Sequence, residues 1–177
     1  PMFTLFKYLV WLVISLACLM FATISISEFL VDSAIDAPYD EKLMDYVGLL
    51  GNDVRIENGK LYLPAGAVQL LRSDRRDRIY YAVRDNDGNV VAGEPQMAPL
   101  VGAPRFGVAT LSNGQIGEEP VRVAVLQLPD PRNADDTITI QVAETLNKRQ
   151  ALTEALRTQA VALPQVLVLV VAILLIV

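Results

Sequence analysis

The chain holds 177 residues, 53% of them apolar, with 15 basic and 20 acidic residues for a net charge of -5. Histidine is absent and Cys18 is the lone cysteine, which excludes Ser-His-Asp and Cys-His nucleophiles, His-ligated zinc, a phosphoacceptor histidine and an intrachain disulfide. All 20 acids and 14 of the 15 bases lie between Glu28 and Arg157, and that polar segment carries -6, against nucleic acid as a partner.

The charge leaves two uncharged 20-residue runs, 8–27 and 158–177. At about 1.5 Å per helical residue, each spans roughly the 30 Å hydrocarbon core of a bilayer. The expected organisation is a cytoplasmic N-terminus at 1–7, a first transmembrane helix at 8–27, a polar domain at 28–157 and a second, truncated transmembrane helix at 158–177. The alternative for the first run is a cleaved signal peptide, with a small-x-small site at Ser25-Ile26-Ser27. Its length exceeds the apolar core of about 7–15 residues usual for a signal, and a second span follows, so an uncleaved anchor is favoured. Lys7 before the first run favours a cytoplasmic N-terminus, which leaves 28–157 on the periplasmic side. A chain that begins with Pro1 and ends inside an apolar run reads as part of something longer.

Beyond Ser27 the first helix is expected to continue over 28–35, where Phe29, Leu30 and Ile35 alternate with acids, until Pro38 interrupts it. A separate amphipathic helix over 40–50 places Leu43, Met44, Val47 and Leu50 on one stripe, with acids in its first turn. Glu57-Asn58-Gly59-Lys60 predicts a hairpin between 54–56 and 61–63, because both turn residues tolerate positive φ. A short helix over 65–71 follows Pro64. Asp85-Asn86-Asp87-Gly88-Asn89 joins strands at 79–83 and 90–92. Ser112-Asn113-Gly114-Gln115 predicts a third turn between strands at 106–111 and 121–128, and a last strand covers 137–142. From Ala143 the period lengthens to that of a helix, with Leu152, Leu156 and Leu163 on a heptad track. The expected fold is α+β: a PAS-like small antiparallel sheet with helices, flanked by two transmembrane helices.

Several runs then carry a resemblance. Asp77-Arg78-Ile79-Tyr80-Tyr81-Ala82-Val83-Arg84-Asp85 with Gly88-Asn89-Val90-Val91-Ala92-Gly93, Glu119-Pro120-Val121-Arg122-Val123-Ala124, and Val142-Ala143-Glu144-Thr145-Leu146-Asn147-Lys148-Arg149 running on to Leu163-Pro164-Gln165 occur in this order. The series resembles the N-terminal sensory region of tricarboxylate-transport-type two-component sensor histidine kinases. The resemblance implies a multi-pass protein of the bacterial inner membrane, a homodimer with a periplasmic sensor domain, and a cytoplasmic response regulator as partner. A phosphoacceptor helix and a kinase domain using ATP and Mg would follow residue 177. No position here corresponds to those kinase residues, so no catalytic residue, metal site or cofactor is assigned to this chain.

Arg72, Arg75, Arg76 and Arg78 form the densest cationic stretch. Their planar forks suit carboxylates, and the resemblance implies a di- or tricarboxylate; a solvated turn whose Asp74 and Asp77 offset part of the charge is the favoured alternative. Strand alternation puts Arg78 and Tyr80 on one face, with Tyr81 on the other. Arg105 and Arg122 are further candidates for that pocket or are plain surface arginines. Glu118-Glu119 and Asp135-Asp136 are acid pairs, read as solvated turns more readily than as cation ligands. Leu152, Leu156, Leu163 and Pro164 are the candidates for signal transmission, with Pro164 expected to bend or loosen the helix. Two other functions stay open: an interaction domain that reads a periplasmic substrate-binding protein, and the input module of a chemoreceptor or cyclic-nucleotide enzyme.

Overall fold

The computed structural model describes residues 2–71, 76–97 and 104–176. The chain divides into two compact units, Pro1–Asp36 with Arg149–Val177, and Ala37–Lys148. Helix α1, Met2–Asp53, contributes to both.

In the first unit, α1 is the one helix among the described residues that is long and apolar enough to cross a membrane, by length and composition. Phe3, Trp11 and Phe21 stand exposed along it. Ser15 and Thr23 donate their hydroxyls to the carbonyls of Leu12 and Leu19, at 2.9 and 2.8 Å. Such internal bonds satisfy hydroxyls that lipid could not. Arg149 is buried, with Nη1 3.3 Å from the Asp36 carboxylate.

The second unit holds a hairpin of β1, Arg55–Glu57, and β2, Lys60–Tyr62. Helix α2, Ala65–Leu71, follows. A five-stranded antiparallel sheet is built from β3, Ile79–Arg84, β4, Val90–Gly93, β5, Thr110–Ile116, β6, Glu119–Asp130, and β7, Asn133–Thr145, in the order β4-β3-β7-β6-β5. The fold is thus mixed, helix plus antiparallel sheet. Helix α3, Asn147–Ile176, leaves the end of β7.

Alternation along the strands divides the sheet into two faces. On one, Val83, Ala124, Leu126, Ile138, Ile140 and Val142 pack with Leu43, Val47 and Leu50 of α1 and with Ala67 and Leu71 of α2. Burying side chains of this size contributes about 1.5–3 kcal/mol each before chain entropy is charged. The opposite face carries Ala82, Val121, Val123, Val125 and Ala143, with Met97 buried against them.

Four expectations are corrected. Pro38 does not interrupt α1, so the expected helices at 28–35 and 40–50 are one. Proline removes one backbone bond, and the buried stripe of Leu43, Val47 and Leu50 outweighs that local cost. The Ser112-Asn113-Gly114 turn does not form: these residues lie within β5, and the reversal comes at Gly117, whose φ is 61°. Asp135 and Asp136 are strand residues of β7, which starts at Asn133 immediately after a tight turn. The last helix begins at Asn147 instead of Ala143, because Ala143 is a fully buried strand residue paired with Tyr80 and Val123.

Candidate functional site at the start of β3

Asp77 and Arg78 lead into β3, and their polar contacts run in two directions. The backbone of Arg78 is tied to the end of β7: its N–H donates to Thr145 Oγ1 at 3.0 Å, and its carbonyl accepts the Thr145 N–H at 3.1 Å. Thr145 Oγ1 donates in turn to Asp77 Oδ1 at 3.0 Å and accepts the Asn147 side-chain amide at 3.1 Å. Asp77 is only 4% exposed. Both its oxygens also receive the Lys148 backbone N–H, at 3.4 and 3.3 Å, in the first turn of α3. A carboxylate there satisfies an N–H that has no intrahelical acceptor and faces the positive end of the helix dipole. The cap comes from a residue 71 positions away, so it joins the start of β3 to the start of α3.

The side chains of Arg78 and Tyr80 project from the sheet face opposite α1. Tyr80 donates its hydroxyl to Glu119 Oε2 at 3.3 Å, and Arg78 Nη1 lies 3.8 Å from Glu119 Oε1. The Tyr80 hydroxyl, then the Glu119 charge, hold the Arg78 guanidinium above its ordinary pKa. Arg78 remains 73% exposed and Glu119 45% exposed. Glu119 belonged to an acid pair read as a solvated turn; the β6–β7 and β3–β7 registers bring it beside the cationic side chain.

The other candidates are not gathered here. Arg122 faces α1: its Nε and Nη2 grip Asp40 at 3.1 and 2.6 Å, and its Nη1 donates to Asn113 at 2.7 Å. Beside it Lys42 pairs with Glu144 at 3.3 Å and lies 5.2 Å above the Tyr46 ring. Burial pulls the Lys42 ammonium down, but Glu144 and Tyr46 together hold it above its usual value. Arg122 therefore ties α1 to the sheet, with 24% of its side chain exposed. Arg105 is exposed next to Phe106, which bridges Gln127, towards the other end of β6 from Glu119. Arg72 and Arg75 lie outside the described residues. In α3, Leu152 is exposed and Leu156 half-buried, the helix runs through Pro164 unbroken, and the Leu163 side chain lies outside the described residues.

Three buried polar residues, Arg84, Gln141 and Asp77, have roles that local sequence does not announce. Arg84 donates to Gln141 at 2.9 Å, to the Gly88 carbonyl at 2.8 Å, and to the Met97 carbonyl. It pins the turn after β3 and the chain after β4 to the sheet. Extending the Arg78, Tyr80, Ala82 alternation by one step points to Arg84. Nothing local marks Gln141 or Asp77. Among the described residues no group of three acids or thiols gathers to hold a metal ion.

The start of β3 is thus exposed at Arg78 and bonded through Asp77 to the first turn of a long helix. The chain belongs to the two-component sensor kinase N-terminal family, whose model matches residues 16–156. Searches of the curated proteins and of the solved structures returned no match.

Proposed function

We propose that residues 37–148 form the periplasmic, PAS-like sensor of a tricarboxylate-transport-type histidine kinase, held between two membrane helices at 8–27 and 158–177. The domain takes up a small di- or tricarboxylate at Arg78 and Tyr80. Homodimerisation, and a response regulator as the downstream partner, follow from the family resemblance.

The observation that carries the reading is the pair of connections at the start of β3. Arg78 offers an exposed guanidinium beside a tyrosine hydroxyl, a combination suited to a carboxylate. Its backbone is bonded to Thr145, and the neighbouring Asp77 caps α3. A ligand that shifts Arg78 therefore acts on the hydrogen bonds that seat the helix leading to the membrane. It can bias that helix by no more than its difference in affinity for the two arrangements.

The test is calorimetric titration of the full chain in detergent micelles with citrate, joined to hydrogen exchange at the amides of α3. Citrate binding that Arg78→Ala abolishes, with altered exchange at Lys148, is the expected result. Equal binding by Arg78→Ala overturns the site.

A further inference from the structure

The carboxylate site proposed above already contains a carboxylate. Glu119 meets both groups assigned to the ligand: one oxygen accepts the Tyr80 hydroxyl at 3.3 Å and the other lies 3.8 Å from Arg78 Nη1. Glu119 opens β6, directly after the reversal at Gly117, and shares with Tyr80 and Arg78 the sheet face opposite α1. Its neighbour Glu118 is exposed in the same reversal.

We propose that Glu119 is the resident occupant of the Arg78–Tyr80 site, a built-in competitor that an incoming carboxylate must displace. The inference rests on the reading of Arg78 and Tyr80 as ligand-binding groups and adds the residue that sets their threshold.

Three observations carry it. The Tyr80 hydroxyl has one proton to donate, so it cannot serve Glu119 and a ligand carboxylate at once, and the two carboxylates share the Arg78 charge. The Arg78–Glu119 pair is long and largely solvent-exposed, and pairs of that kind contribute little. Displacement is therefore cheap, and the penalty it adds is expected within about fivefold in affinity. By contrast the other arginine fork of this unit that binds a carboxylate across the fold, Arg122 on Asp40, is closed at 2.6 Å and half as exposed or less on both partners, which marks it as structural.

The experiment compares citrate titrations of the wild-type full chain with Glu119→Gln, Glu118→Gln, Arg78→Ala and the Arg78→Ala/Glu119→Gln double variant, in micelles at low salt and at 0.5 M NaCl (a strongly screened condition, with a Debye length of about 4 Å). Far-ultraviolet circular dichroism checks that each variant folds. The expected result is citrate affinity raised about three- to fivefold in Glu119→Gln at low salt, a smaller gain at high salt, no gain in Glu118→Gln, and no binding in either variant lacking Arg78. Unchanged or weaker binding by Glu119→Gln, with binding still lost in Arg78→Ala, overturns the competitor and leaves the site standing. An equal gain in Glu118→Gln reduces the effect to general charge and overturns it as well. Binding that survives Arg78→Ala, or no citrate binding by wild type and Glu119→Gln alike, overturns both the site and its competitor.

Discussion

Gly93 shows how little room single residues have at the β3–β4 hairpin. Its φ is 94°, and a Cβ built on it would fall 2.2 Å from the Tyr81 carbonyl oxygen, which accepts the Glu94 N–H at 2.8 Å. Gly88 has a similar φ of 86° but open space around it. Gly88→Ala is expected to cost about 1–2 kcal/mol, the backbone term alone. Gly93→Ala should cost clearly more, because the strand pair itself must shift; urea unfolding of the two variants measures the difference. At the β6–β7 turn, Arg132 holds Asp130 through its side chain, with contacts at 2.5 to 3.0 Å, and through its backbone N–H at 2.8 Å. These bonds keep the Asp130 carboxyl below its usual pKa, against the opposing effect of its own burial. A depressed folded pKa stabilises the fold at neutral pH. That contribution is lost as pH falls from the ordinary carboxylate range towards the lower folded value. Asp130→Asn should therefore lose about 1 kcal/mol at pH 7 and show a flatter acid limb than wild type when stability is measured against pH.

Among the elements, Arg122 joins α1 to the sheet. Arg122→Ala removes both guanidinium bonds to Asp40, whose side chain is 16% exposed, and is expected to destabilise the 37–148 unit by about 1.5–3 kcal/mol. Citrate affinity should not change, since Arg122 lies on the other face from Tyr80; a matching loss of affinity would relocate the site. The cap on α3 is tested by Asp77→Ala. It should cost about 1–2 kcal/mol, as other lost caps do, and raise hydrogen exchange at Lys148 while the central sheet amides stay protected. Asp77→Asn, which keeps an acceptor, should recover much of the protection. Local signals were a fair guide where partners are close in sequence. Asn58 and Gly59 take φ values of 51° and 75°, so the hairpin expected there forms, and α2 lies over the expected 65–71. At Asn113-Gly114 the same dipeptide misleads. Gly114 pairs with Val121, and a Cβ on it would sit 3.1 Å from Val123 Cγ2, so the glycine relieves crowding within the sheet instead of turning the chain.

For the whole molecule, the two-span arrangement has a direct test. Alkaline phosphatase, active only outside the cytoplasm, inserted at the exposed β1–β2 turn should be active, and fused before Lys7 it should not. The reverse pattern would place the domain in the cytoplasm. In a background where Cys18 is replaced by Ser, single cysteines at 152, 156 and 163 should crosslink into dimers more readily than their neighbours if the heptad track is the seam. Crosslinking at flanking positions alone would move the seam elsewhere.

Charge segregation, hairpin chemistry and strand alternation are properties of neighbouring residues, and from them the sequence by itself determined an α+β domain, its first hairpin, the α2 segment and the shared face of Arg78 and Tyr80. The tertiary structure alone decided that Arg78 stays exposed while Arg122 is bound to Asp40. Both are arginines, one just before β3 and one within β6, and the difference lies in Asp40 and Glu119, brought to them from 82 and 41 positions away. It also decided that Asp77 caps α3, and that Ala143 lies within a strand where the local period indicates a helix. The pairing of β3 with β7, between residues 55 to 65 positions apart, sets Asp77 beside the start of α3 and Ala143 inside the sheet, and a pairing between distant strands leaves no trace in a local window.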